Sequence, residues 1–127
     1  MVKIYLAGGM RSNWRDQVKS HLPNAVYLDP CDHDLSSPVH YTAWDLAAIT
    51  QSDVVFIYYE SANPSGYGLS LEAGYAAALG KLIILVDEHP DDPRLGMLRS
   101  VSHIITNNLD EGLSYLSRFA QIYESRR

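Results

Sequence analysis

Short, nearly continuous apolar runs alternate along this chain with longer stretches of helical periodicity. Lys3-Ile4-Tyr5-Leu6-Ala7 opens the series and ends at Gly8-Gly9. Ala25 to Leu28, Asp53 to Tyr59, Leu82 to Val86 and His103 to Thr106 repeat the pattern. Runs this continuous, each bounded by turn residues, predict strands buried on both faces. Between them, Ser12 or Asn13 can cap a helix to about His21, stopped by Pro23-Asn24. A second helix is expected from His40 to Gln51, and a third opens from the glycine-bearing turn before Leu69. Asn108 with Glu111 three residues on makes a capping-box-like start to a last helix. Leu109, Leu113, Leu116, Phe119 and Ala120 fall on its buried face, and it is expected to fray over 125–127. Residues 30–39 and 87–93 read as polar loops; a loop as long as the first is more often functional than incidental. The alternation predicts a three-layer α/β/α sandwich, flavodoxin- or Rossmann-like, on a mostly parallel five-stranded sheet, with residues 1–127 as a single domain.

Composition narrows the partners. A chain of 127 residues, 46% hydrophobic and 20% charged, can bury a proper core without staples. A net charge of −5 argues against polymeric nucleic acid, yet leaves room for a small phosphorylated ligand. The single cysteine, Cys31, permits no internal disulfide, which fits a reducing compartment. Met1 leads straight into a strand without a signal-peptide pattern, and no apolar run approaches the roughly 20 residues of a membrane span. The expectation is a cytoplasmic protein with no membrane partner.

The densest chemical signal is PSGYGLSLEAGYAAALGK, Pro64 to Lys81. A strand, turn, helix and strand in that order form a βαβ unit, and Glu72 then falls at the carboxyl edge of a parallel sheet, where such sheets bind ligands. The bland reading is an acid in the first turn of a helix, stabilised by the dipole. Against it stand Gly66 and Gly68, which let backbone approach a ligand. Gly74 costs its helix roughly 1 kcal/mol relative to alanine, as though something packs tightly there. Gly8-Gly9-Met10-Arg11-Ser12-Asn13 is a second candidate: a glycine pair, a cation and small polar residues at a helix start suit an anion. The dinucleotide and Walker patterns are absent. Tyr5 falls where its hydroxyl can reach the edge that holds Glu72, and Asp45, beside Trp44, can hydrogen-bond a heterocycle. Each also reads as ordinary: a core tyrosine, a solvated helix carboxylate. Cys31, Asp32, His33, Asp34 and His40 match no zinc spacing, so no metal is expected. No serine sits in a nucleophile elbow.

These pieces together resemble the nucleoside 2-deoxyribosyltransferase family and its nucleotide N-glycosidase relatives. Ile4 to Gly9, Asp45-Leu46 with Gln51 to Val55, and Gly68 to Ala76 with Gly80-Lys81 carry the resemblance in register. It implies that Glu72 is a nucleophile toward the anomeric carbon of a nucleoside or nucleotide sugar, that Tyr5 orients or tunes it, and that Asp45 holds or protonates the departing base. No cofactor is implied. Gly8, Gly9, Arg11, Ser65, Gly66 and Gly68 become the substrate-binding set, with Arg11 and Ser65 for a 5′-phosphate. Transferases of the family carry a further acid in the loop before the nucleophile. Here that loop reads Asn63-Pro64-Ser65-Gly66-Tyr67, which leaves transfer to a second base and hydrolysis both open. The family also implies a homodimer or larger assembly, with Arg99 to His103 a candidate for completing a neighbour's site. Two alternatives stand beside this reading. A non-catalytic nucleotide sensor would tolerate loss of Glu72, and a lysine-decarboxylase-like phosphoribohydrolase would need a P-G-G-x-G-T signature that the chain lacks.

Overall fold

The structure is a computed structural model that describes residues 1–62 and 67–124. Five strands, β1 (Lys3–Gly8), β2 (Val26–Leu28), β3 (Val54–Tyr59), β4 (Leu82–Asp87) and β5 (Ile104–Thr106), form one sheet in the order β2-β1-β3-β4-β5. Every neighbouring pair is parallel, so the sheet is wholly rather than mostly parallel. The helices are α1 (Trp14–His21), α2 (Pro38–Gln51), α3 (Tyr67–Ala78), α4 (Gly96–Val101) and α5 (Leu109–Glu124). This is the doubly wound α/β sandwich. Strand order reverses between β1 and β3, and the crevice outside their carboxyl ends is the expected ligand position.

The apolar runs behave as strands do when both faces are covered. Tyr5, Ala7, Val55, Ile57, Ile83 and Leu85 turn to one side, against Ile49, Leu69, Ala73, Ala76 and Leu98 of α2, α3 and α4. Ile4, Leu6, Val54, Phe56, Ile84 and Val86 turn to the other, against Trp14, Val18, Leu113, Leu116 and Ala120 of α1 and α5. Gly112 lets α5 approach β4: a Cβ there would lie 2.3 Å from Val86 Cγ2. Asn108 Oδ1 accepts the Glu111 amide at 2.9 Å, the side-chain cap expected at that helix start.

Three expectations change. The segment between β4 and β5 is not only loop, since it contains α4, whose six residues are too few to display a helical period. The second helix begins two residues earlier than His40, at Pro38, because proline fits the first helical position. The third begins at Tyr67, so Glu72 is its sixth residue and no acid occupies its first turn. The dipole account of Glu72 falls with that. The fraying expected over 125–127 lies outside the described residues.

Candidate active site

The carboxyl end of β1 opens onto a cavity of about 560 Å3, lined by Ala7, Gly8, Gly9, Met10, Arg11, Arg15, Pro30, Asp45, Gly68, Leu69 and Glu72. Most of the expected site residues thus meet in one place, brought there by three segments distant in sequence. β1 delivers Tyr5, fully buried with its ring in the core, and the Tyr5 hydroxyl donates a hydrogen bond to Glu72 Oε2. α3 delivers Glu72 on the turn of the helix whose Leu69 and Ala73 pack on the sheet. α2 delivers Asp45 beside Trp44. Ser65 and Gly66 lie outside the described residues.

Burial sets the electrostatics. It pushes the Glu72 carboxyl up, the Tyr5 hydrogen bond and the positive charge of Arg15 pull it down, the negative charge of Asp45 pushes it up again, and the balance is about 7. The Tyr5 hydroxyl is held far above the usual phenol range, first by burial and then by the adjacent Glu72, so it stays a donor. Asp45 is raised by burial, against opposing contributions from His33 and Arg15. Two carboxyl groups beside one cavity, with a proton available near neutrality, are suited to nucleophilic and acid–base work.

His33 approaches Asp45 from the long loop over residues 30–39, which the sequence marked as functional without assigning this histidine a role. Its Nδ1 accepts the Leu35 amide at 3.2 Å, which leaves Nε2 as the protonated nitrogen, 3.4 Å from Asp45 Oδ1. That contact is loose, and neither atom has a hydrogen-bond partner among the described residues. The His33 ring meets Trp44 edge-on at 4.8 Å between centroids. Of the other residues in that cluster, Cys31 is exposed with Sγ 3.3 Å from Met10 Sδ. Among the described residues, no group of three or more His, Cys, Asp or Glu side chains could hold a metal ion.

The glycine turn is held by residues that sequence reading passed over. Trp14 Nε1 donates to Gly9 O at 2.9 Å, and Arg15 Nη1 and Nη2 donate to Gly9 O at 2.6 Å and Gly8 O at 3.2 Å. Gly8 has no room for a side chain, because a Cβ would sit 2.7 Å from Tyr58 O and 2.8 Å from the Trp14 ring. Arg11 is exposed at the cavity rim, and Ser12 Oγ donates to Glu60 Oε1 at 2.7 Å. No signal in the sequence separates Arg15 from a solvated helix cation; its burial is visible only in the structure.

Local packing bears on two further expectations. Nothing lies within 4 Å of a Cβ at Gly74, so no neighbour within the described residues accounts for that glycine. In the segment Arg99 to His103, the Arg99 side chain turns inward, donating to Asp87 Oδ2 at 2.7 Å, Asp92 O at 2.6 Å and His89 O at 2.7 Å.

A family model described as "Nucleoside 2-deoxyribosyltransferase like" matches residues 1–89 of the chain. Among solved structures, a "2-desoxiribosyltransferase from Leishmania mexicana" superposes with a TM-score of 0.65 at 22% identity, covering 91% of this chain and 96% of that one. A conserved protein from Enterococcus faecalis V583 gives a TM-score of 0.67 at 15% identity, over 93% and 98% of the two chains. A Clostridium botulinum CMP N-glycosidase, BcmB, gives 0.54 at 24% identity, over 91% and 98%. At these identities the structural likenesses establish the fold. No curated protein sequence matches the chain.

Proposed function

The chain belongs to the nucleoside 2-deoxyribosyltransferase-like family, and on that footing we propose that it cleaves the N-glycosidic bond of a nucleoside 5′-monophosphate through a covalent glycosyl-Glu72 intermediate. The observation that carries this reading is the Tyr5–Glu72 pair at the cavity, a carboxylate with one oxygen held by a buried hydroxyl. Oε2 accepts the Tyr5 hydroxyl, so Oε1 is the attacking atom. The Oε1–C1′ bond forms as the C1′–N bond breaks, and the base leaves with the electron pair. Asp45, raised by burial, gives the base its proton. In the second step Asp45 takes a proton from water, whose oxygen bonds to C1′ while the ester to Glu72 breaks. The logic is that of a retaining glycosidase, one hard displacement split into two easier ones.

The phosphate belongs at the turn after β1. Among the described residues, no acceptor is found for the backbone N–H groups of Gly9, Met10, Arg11, Ser12 and Asn13. Consecutive free amides beside an arginine form an anion site of the kind found in phosphate-binding turns. Gly68, which also lines the cavity, completes the described part of the set. Chromatography of base release from deoxynucleosides and their monophosphates, with and without a second free base, tests the whole reading. Release from monophosphates alone is expected. Exchange that requires the second base would instead assign a transferase, and tight binding without turnover, unchanged in Glu72→Ala, would assign a sensor.

The same reading includes self-association. α2 and α3 carry one carboxylate each, Asp45 and Glu72, both at the cavity. Their layer instead exposes Val39 at 76%, Tyr67 at 95%, Leu71 at 57% and, on α4, Met97 at 84%. A solvated helical layer ordinarily carries charge, whereas apolar surface of this extent marks an interface. A second copy of the chain is the proposed occupant of that face. Light scattering is expected to show a dimer or larger assembly.

A further inference from the structure

The cavity depends on a turn whose own sequence does not determine its orientation, and a buried cation holds that turn. Arg15 is 5% exposed, and its guanidinium joins three segments. Nη1 and Nη2 reach the Gly9 and Gly8 carbonyls, while Nε donates to Asp29 Oδ1 at 2.9 Å. Asp29 is 1% exposed and is itself anchored, by Lys19 Nζ at 2.8 Å and by the Cys31 amide at 2.9 Å. Against burial, which pushes it up, hydrogen bonds from Lys19 and the Cys31 amide and the charges of Arg15 and Lys19 hold its carboxyl below the ordinary range.

The geometry has a directional consequence. In a trans peptide the C=O of one residue and the N–H of the next point in opposite directions. Turning the Gly8 and Gly9 carbonyls onto Arg15 therefore turns the Gly9 and Met10 N–H groups away from it. These are among the amides for which the described residues offer no acceptor, and Gly9 is buried. A buried donor left open needs a partner, and here that partner is the ligand.

We propose that Arg15 is a positioning residue that fixes the Gly8–Gly9 turn against Asp29, so that the turn presents its amides to the sugar phosphate. The inference rests on the proposed phosphate site and goes beyond it, since it assigns the turn's competence to a side chain outside the expected binding set. Arg15 also lines the cavity, facing Tyr5 of β1, Asp45 of α2, Glu72 of α3, Asp29 and Cys31 of the following loop, and Arg11 of the turn. Its charge favours the ionised form of both cavity acids.

The test uses 2′-deoxyribose 5-phosphate, the base-free product, as a calorimetric probe, alongside base-release kinetics and thermal melts. Arg15→Lys keeps a charge beside Asp29 but loses the planar fork. It is expected to weaken probe binding and raise KM at least ~10-fold, with a smaller change in kcat, as misplaced positioning groups do. Arg15→Gln is expected to add to this a shift of the acid limb of kcat/KM to higher pH. If both variants melt lower while probe affinity, KM and the acid limb stay at wild-type values, Arg15 is only structural and the proposal is wrong. If neither variant folds, Trp14→Phe removes one donor to Gly9 O and must give the same KM-dominated loss in smaller degree; an unchanged KM overturns the proposal. A wild-type protein that binds the probe but releases no base sinks the Glu72 mechanism, and the binding comparison still decides Arg15. One that does not bind the probe overturns the inference.

Discussion

At the scale of single residues, the site turns on two carboxyl groups and the hydroxyl that holds one of them. In the proposed mechanism Glu72 must be ionised to attack, and burial pushes its carboxyl up to about 7. The rate kcat/KM is therefore expected to rise with pH through about 7, ten-fold per unit on the acid side, as a pH–rate profile will show. Glu72→Gln keeps the shape and the Tyr5 contact but has no nucleophile; loss of base release by at least ~100-fold is expected, and activity within a few-fold of wild type would rule out the covalent route. Tyr5→Phe removes the bond that favours the ionised carboxylate. Its acid limb should move to higher pH and its rate fall by ~10- to 100-fold, the size of a hydrogen bond to a charged group. That Glu72 and Asp45 meet at one cavity was legible, because a parallel α/β sheet gathers residues from its strand ends and following helices at a known edge. His33 was not. Its meaning depends on which nitrogen faces Asp45, and spacing carries no such information.

At the scale of elements, helices contact the sheet or the solvent through glycines of opposite character. Gly112 has no room for a methyl group against Val86. Gly112→Ala should destabilise by ~1–3 kcal/mol through overpacking, even though alanine is the better helix former. Gly74 faces open space on α3, and there alanine should stabilise the isolated protomer by up to ~1 kcal/mol. Urea unfolding measures both. If Gly74→Ala instead weakens the protein only at concentrations where it self-associates, the glycine belongs to the contact between copies. Sequence alone treats the two positions alike, as helix-interior glycines with a propensity cost. The difference is the distance to another element.

At the scale of the whole molecule, burying Glu72 opposes stability, and the sign can be tested. Its carboxyl rises from an ordinary 4.5 to about 7 on folding. A group raised in the folded state stabilises it fully below the unfolded value, and that contribution is lost as pH climbs through the folded one. Between pH 4.5 and 7 the loss amounts to about 3 kcal/mol. Glu72→Gln should accordingly be more stable than wild type at pH 8, with the advantage gone by pH 4.5. Asp29 runs the other way: its lowered carboxyl adds stability above the ordinary aspartate range that is lost on acidification. Equal unfolding midpoints for wild type and Glu72→Gln at pH 8 would mean that Glu72 is solvated and not poised.

What the sequence determined by itself is the order of elements and the faces they bury. Continuous apolar runs such as Val54 to Tyr59 have only one stable use, as strands covered on both sides, and strand–helix alternation then forces parallel pairing. From these follow the sheet edge, and with it Tyr5, Asp45 and Glu72 as neighbours. The tertiary structure decided what depends on three-dimensional distance. α4 formed because Leu98 found a place in the core, not because six residues have a period. Glu72 proved to be a mid-helix carboxylate in a buried pair rather than a cap. Arg15, indistinguishable in sequence from a solvated helix cation, became the clamp of the glycine turn, because Asp29 and two backbone carbonyls converge on it from segments far apart in the chain.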